Sequence, residues 1–309
     1  MNLRYDEDFL ENAVVLCASG RRPGAPALQV RRFHHEREKL YRLLDADERN
    51  AAFFRLHLEW FREWGLEKVL TDIVAAFPIL SRSLDVLVFR QARGKNEEGG
   101  ELYVNADGAR HGVVALRSER WLRAAELEGF LNHELTHLAD MVDPGFAYSP
   151  ILDAGGATAM QQRLVSERYR VLWDVTIDGR LNRAGRATVA GREQRLAEFE
   201  RTYSFWPPER RAAVFASLWG DPAPAHAPLL ALASDPRDVR AGQRPAPGAP
   251  CPLCGFPTFN WLTAEALPPR TIDAIRAEFP AWTPDQGLCQ RCGEVYEAAR
   301  IPIPANLCV

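Results

Sequence analysis

Residues 133–137 read His-Glu-Leu-Thr-His. On a helix, residues i and i+4 lie about 40° apart in azimuth and one turn apart in height. His133 and His137 would therefore present two imidazoles from one face to a shared metal ion. Glu134 would reach a water held by that ion, whose pKa an open metal site lowers toward 7. The pattern predicts metal-assisted hydrolysis with Glu134 as general base. The neighbours pass a further test. Leu131, Leu135, Leu138 and Val142 fall roughly opposite His133 on the helical wheel, so the helix has an apolar back and a ligand-bearing front. Asp140 lies on that front, one turn beyond His137. Two unrelated core or surface histidines would not require this partition.

A second constellation lies near the C-terminus. Cys251-Pro-Leu-Cys254-Gly and Cys289-Gln-Arg-Cys292-Gly are matched knuckles, each pointing two thiolates at one ion, with a glycine to permit the turn. A redox pair would not be duplicated with trailing glycines. Four thiolates close a coordination shell, so this zinc would be structural. The pattern resembles a zinc ribbon with a long insertion that has room for a helix over 271–279. Phe256, Phe259, Trp261 and Trp282 form either its core or a protein-binding face, with core the preferred reading. Cys17 lies in an apolar run and reads as a buried hydrophobe. Cys308 carries no signal. His34 and His35 read as surface residues.

The elements that must position these groups follow from periodicity. Residues 1–80 read as helical. Apolar residues from His35 to Trp64 recur at helical spacing with a break near Asp45–Asp47, and a short amphipathic run from Leu66 to Phe77 stops at Pro78. The period then changes. Leu84–Phe89 reads as a strand, Asn96–Gly100 as a turn, Glu101–Val104 as the returning strand and Gly112–Leu116 as a third. Ser118 is placed to cap a helix from Glu119 to Val142, which Pro144 ends. Residues 153–156 read as a loop. A helix over 158–178 is expected to terminate at Gly179, and another fits Glu209–Trp219.

Strands followed by a His-Glu-x-x-His helix and a later helix resemble the zincin metallopeptidases, over about residues 80–185. The resemblance implies a gluzincin-like α+β core: a helical N-terminal region, a small mixed sheet, the histidine helix and a helix that gives the third zinc ligand. In one zincin class that ligand is a carboxylate, with a second acid four residues on that holds a ligand histidine. Asp174 and Asp178 have this spacing, although the usual ligand is Glu, one methylene longer. Asp174 is the preferred ligand, with Asp178 holding a histidine from outside or serving as ligand instead. Asp143 is a rival from another class, which needs a glycine where this chain has Asp140. The resemblance further implies cleavage of a protein or peptide. Tyr148, Tyr169 and Arg170 are candidate oxyanion donors, and a sheet edge, Gly112–Leu116, would hold an extended peptide.

Composition bounds the rest. The chain has 309 residues, a net charge of −3 and 47% apolar residues, a globular balance that excludes a disordered, collagenous or coiled-coil chain. Seven of its 22 prolines fall within 221–250, which reads as a semi-extended linker between a metallopeptidase domain over 1–220 and the ribbon over 251–309. The ribbon has four Arg against six acids, too little positive charge for a phosphate backbone, so a protein partner is expected and nucleic acid is not. No apolar run is long enough to span a membrane. The acidic N-terminus is unlike a signal peptide, and the cytoplasm is the expected compartment. Two zinc ions are expected, one catalytic and one structural. A rival reading keeps the metal but not the turnover, and makes the protein an interaction module acting through its ribbon.

Overall fold

The computed structural model describes residues 1–21, 25–150, 159–234, 248–262, 267–280 and 282–298. The chain divides into two units, 1–234 and 235–309. The class is α+β, mostly helical with a small mixed sheet. The expected loop over 153–156 and Cys308 lie outside the described residues.

The N-terminal unit opens with a strand, β1 (Asn2–Tyr5), where a helix was expected. Four residues are too few to register an alternation against the apolar helix that follows. Asp6 then caps α1 (Glu7–Ala18), accepting from the Phe9 amide at 2.6 Å. The helical region continues with α2 (Ala27–Leu40), α3 (Ala46–Glu63), α4 (Leu66–Ala75) and α5 (Pro78–Ser83). The expected break falls between α2 and α3, where Asp45 caps the Glu48 amide at 2.7 Å. Cys17 is buried in the core.

Three strands follow: β2 (Val86–Gln91), β3 (Gly99–Val104) and β4 (Arg110–Leu116). The sheet order is β1-β2-β4-β3, with β1 and β4 parallel to β2 and β3 antiparallel to β4. This corrects the expected peptide-binding edge. Gly112–Leu116 is paired on both sides, and the edge strands are β1 and β3, of which β3 lies beside the histidine helix. Gly99 and Gly100, which read as part of a turn, belong to that strand. At Gly100 the lack of a side chain is needed for contact with the next helix: a Cβ there would stand 3.0 Å from the Glu134 carbonyl and 3.4 Å from Leu138 Cγ.

That helix, α6 (Ala124–Val142), starts later than Ser118 suggests. Residues Ser118–Leu122 form a 3-10 turn instead. The turn is held by the buried Glu98 carboxylate, which accepts from the Arg117 amide at 3.1 Å and from two nitrogens of Arg120 at 2.8 and 2.9 Å. Leu131, Leu135, Leu138 and Val142 of α6 join a core with α1, α3, α4 and the sheet, which includes Phe9, Phe61, Phe89 and Trp121.

Helix α7 (Ala159–Arg183) runs through Gly179, which was expected to end it. The glycine serves close approach rather than termination. A Cβ there would overlap the backbone carbonyl of Trp219 on α9 (Pro208–Gly220). Gly179→Ala should therefore lower stability by about 1–3 kcal/mol. Gly220→Ala, which meets nothing within 4 Å, is the control, and urea unfolding reads both. Between them lies α8 (Arg192–Thr202), which the sequence reading did not place. Helix α10 (His226–Ser234) occupies part of the expected linker and buries Leu229 and Ala233. Pro228 sits in its first turn, where proline costs no hydrogen bond, and the Leu-Leu-Ala-Leu-Ala run propagates the helix. Helices α7–α10 share a second core with Phe146.

The C-terminal unit contains β5 (Trp261–Leu262), α11 (Pro269–Glu278), β6 (Leu288–Cys289) and α12 (Gln290–Ala298), with β5 antiparallel to β6. Its core is small: Cys251, Leu267, Ile275, Trp282, Leu288 and Cys289. Phe256 and Phe259 do not belong to it. They are 72% and 77% exposed.

Candidate metal centres

Helices α6 and α7 each turn an apolar face to one of the two cores, and their polar faces meet between them. His133 and His137 come from α6, Asp174 and Asp178 from α7. His137 Nε2 lies 3.1 Å and His133 Nε2 3.4 Å from the same atom, Asp174 Oδ1. The ligand atoms of His133, His137 and Asp174 all lie within 4.8 Å of one another. Tetrahedral zinc with nitrogen and oxygen ligands at about 2.0–2.1 Å would separate neighbouring ligand atoms by about 3.3 Å. The two nitrogen-to-oxygen distances bracket that value, so the donor set can hold a metal of this kind.

Asp178 approaches the other side of the His133 ring, with Oδ1 3.0 Å from Nδ1. A carboxylate there holds a proton on Nδ1, so that Nε2 is the nitrogen that would bind a metal once its own proton is displaced. Asp143 is not in the cluster. It caps the turn after α6, accepting from the Gly145 amide at 2.8 Å. Asp140 faces the front as expected but is occupied: Arg180 forks onto it at 2.8 and 2.6 Å, and the Trp173 indole N–H donates to it at 2.7 Å. Trp173 in turn packs edge-on against His137, with ring centroids 4.3 Å apart.

Charge at this seam is strongly coupled. Burial disfavours protonation of His133, but hydrogen bonds to Asp174 and Asp178 outweigh it and push the imidazole up to about 10. Burial likewise raises the Asp174 carboxyl, and the two histidines more than reverse this, holding it well below the ordinary carboxylate range. The carboxylate is thus ionised, as a cation ligand must be.

Arg195, on α8, is the residue that sequence reasoning missed. It is buried and donates to Asp178 Oδ2 at 2.6 Å, to Asp174 Oδ2 at 3.2 Å and to Glu198 Oε2 at 2.7 Å. An arginine has no motif spacing relative to the acids it will meet. Its only local signal is the i, i+3 pairing with Glu198.

Glu134 is held by the edge strand: the Gly100 amide donates to its Oε2 at 2.8 Å. A cleft of about 510 Å³ runs along β3 from Gly100 to Val104, with Met141 and Tyr148 on its other wall. Of the three candidate oxyanion donors, only Tyr148 lines this cleft. Burial raises its phenol above the ordinary value, which keeps it protonated as a donor. Tyr169 is buried and its hydroxyl is engaged with His226 Nδ1 at 2.7 Å. Arg170 is 78% exposed, and its Nε stands 3.9 Å from Asp174.

The four cysteines form the second group that can hold a metal. Sγ atoms of Cys251 and Cys292 lie 3.9 Å apart, and those of Cys254 and Cys289 3.8 Å apart. Disulfides would bring them to about 2.05 Å, whereas tetrahedral zinc with Zn–S near 2.3 Å spaces them by about 3.8 Å. Burial raises the Cys251 thiol, but backbone amides of Cys254, Cys289 and Leu253 outweigh that and bring it down to about 7. That favours the thiolate a metal needs.

Comparison with protein families, curated proteins and solved structures finds no match, so the geometry of the site carries the functional argument. Among the described residues, no helix is long and apolar enough to cross a membrane.

Proposed function

We propose that this chain is a zinc-dependent hydrolase with a zincin-like core, and that it cleaves peptide bonds. The observation that carries the reading is the convergence of His133 Nε2, His137 Nε2 and Asp174 Oδ1 on one point, with Glu134 on the same helix facing a strand edge that is unpaired among the described residues. His133, His137 and Asp174 would hold the zinc, and Asp178 would orient His133. A zinc ion there would supply Lewis-acid polarisation of a carbonyl and a water of lowered pKa. Glu134 takes the proton of the attacking water and delivers it to the leaving amine. The Gly100 amide fixes the carboxylate for both transfers. An extended substrate lies along the outer edge of β3 in the adjacent cleft, and the Tyr148 hydroxyl donates toward the developing oxyanion. The four cysteines hold a structural zinc, and the exposed Phe256 and Phe259 of that unit face a protein substrate.

Glu134 favours the enzyme over a silent interaction module. A purely structural His-His-Asp site has no use for a carboxylate presented beside it on a backbone amide. The test is zinc stoichiometry in the full chain. The wild type should hold two zinc ions, and His137→Ala one, with loss of hydrolysis of a denatured protein substrate. One ion in the wild type, or two in the variant, would overturn the assignment.

A further inference from the structure

We propose that Arg195 is a positioning residue for the metal centre: its guanidinium takes the outer oxygen of both Asp174 and Asp178, so that each carboxylate turns a single oxygen to the histidines. This rests on the reading of His133, His137 and Asp174 as a metal-binding set. The division of labour among the oxygens is complete. Both Oδ2 atoms go to Arg195, at 2.6 Å for Asp178 and 3.2 Å for Asp174. Both Oδ1 atoms go to imidazole nitrogens, at 3.0 Å for Asp178 and at 3.1 and 3.4 Å for Asp174. One planar fork therefore sets the rotation of two carboxylates on successive turns of α7.

The consequence for Asp174 is specific. An aspartate is short and pivots easily about its terminal torsion. Free to rotate, it could offer both oxygens at once or swing its lone pairs away from the imidazoles. The guanidinium removes that freedom and makes it a one-oxygen donor, which suits a four-coordinate site. For Asp178 the same fork fixes the hydrogen bond that sets the His133 tautomer. Arg195 is itself held firmly. It is buried, its Nη1 is tied to Glu198 one turn on at 2.7 Å, and Phe199 beside Glu198 is fully buried in the second core.

Simple electrostatics predicts the opposite sign. A guanidinium beside a divalent cation opposes binding, so its removal should tighten the site. Positioning predicts that removal weakens it. Lysine separates geometry from charge, because it keeps one positive charge but replaces the fixed planar fork with a compact ammonium on a flexible stem.

The experiment uses the full chain with Arg195→Lys and Arg195→Gln, titrated with zinc against a chromophoric chelator. The His137→Ala chain supplies the baseline for the four-cysteine ion. Both Arg195 variants should weaken the histidine-site zinc by about 10–100-fold, the usual effect of losing such an outer partner, and leave the cysteine zinc unchanged. Cobalt placed in the histidine site should show a changed visible absorption, reporting altered ligation independently of affinity and turnover. Wild-type affinity and spectrum in Arg195→Lys would reduce Arg195 to a counter-charge, and tighter zinc in Arg195→Gln would mean electrostatics governs; either outcome overturns the proposal. If Arg195→Gln fails to fold, the charge-retaining lysine variant decides, with circular dichroism as its folding control. A wild type that binds only the cysteine zinc would instead sink the metal-centre reading itself, and the positioning role with it. Two ions in the wild type with unaffected variants would sink the positioning role alone.

Discussion

Glu134→Gln should leave both zinc ions bound and lower peptide hydrolysis by about 10²–10⁴-fold, the usual contribution of a positioned general base. The substitution is chosen for what it preserves. Glu134 does not belong to the set of converging ligand atoms, so its charge is not needed to hold the ion. Glutamine has the same length and keeps a carbonyl oxygen that can accept the Gly100 N–H, now 2.8 Å from the carboxylate. The edge strand, the helix and the cleft should therefore be undisturbed. What is lost is the ability to take a proton and return it. Zinc content and turnover must be measured on the same sample, because a fall in both would point to lost metal instead. Unchanged turnover with two ions bound would remove Glu134 from the mechanism.

The parts of this site legible in the sequence are those built from local spacing. His133 and His137 needed only the helical period, and Asp174 and Asp178 needed the same period on a second helix. Both pairs sit on the faces that period implies. The four cysteines were legible for the same reason. Elements defined by what lies far off in sequence were less so. Strand β1 is four residues long and shows itself only by its pairing with β2. Gly179 read as a helix end because glycine commonly ends helices, yet its lack of side chain answers to Trp219, forty residues away. Gly99 and Gly100 likewise read as turn residues, when both lie in β3 and Gly100 accommodates α6. This misplaced the edge of the sheet by one strand, and with it the surface that would hold a substrate. Arg195 was invisible for the most general reason. Its three carboxylate partners come from α7 and its own helix, and only the packing of α8 on α7 brings them together.

Cys289→Ser is expected to unfold the C-terminal unit while the N-terminal unit keeps its own cooperative transition. Among the described residues the core of the small unit has six buried residues, and two of them are the thiols Cys251 and Cys289 of the four-cysteine group. A core of that size does not stabilise a chain of fewer than about 80 residues without a staple. A structural zinc held by the four thiols would supply one, at about 10–16 kcal/mol of apparent binding free energy in comparable small domains. Cys289 is at the centre of the arrangement. Its Sγ lies 3.8 Å from that of Cys254, its amide donates to the Cys251 sulfur at 3.3 Å, and its backbone pairs with Trp261 in the two-stranded sheet. Serine is nearly isosteric but remains a hydroxyl at neutral pH, so it makes a poor zinc ligand and leaves three thiolates to repel one another. The N-terminal unit has two apolar clusters of its own, and among the described residues neither includes one from the C-terminal unit. Limited proteolysis should therefore cut the variant within 248–298 and spare 25–150. A strong chelator should reproduce that pattern in the wild type, with the Trp282 indole, now only 3% exposed, moving into water. A C-terminal unit that resists protease after losing Cys289 would mean that its six-residue core suffices and that the four thiols are not its staple.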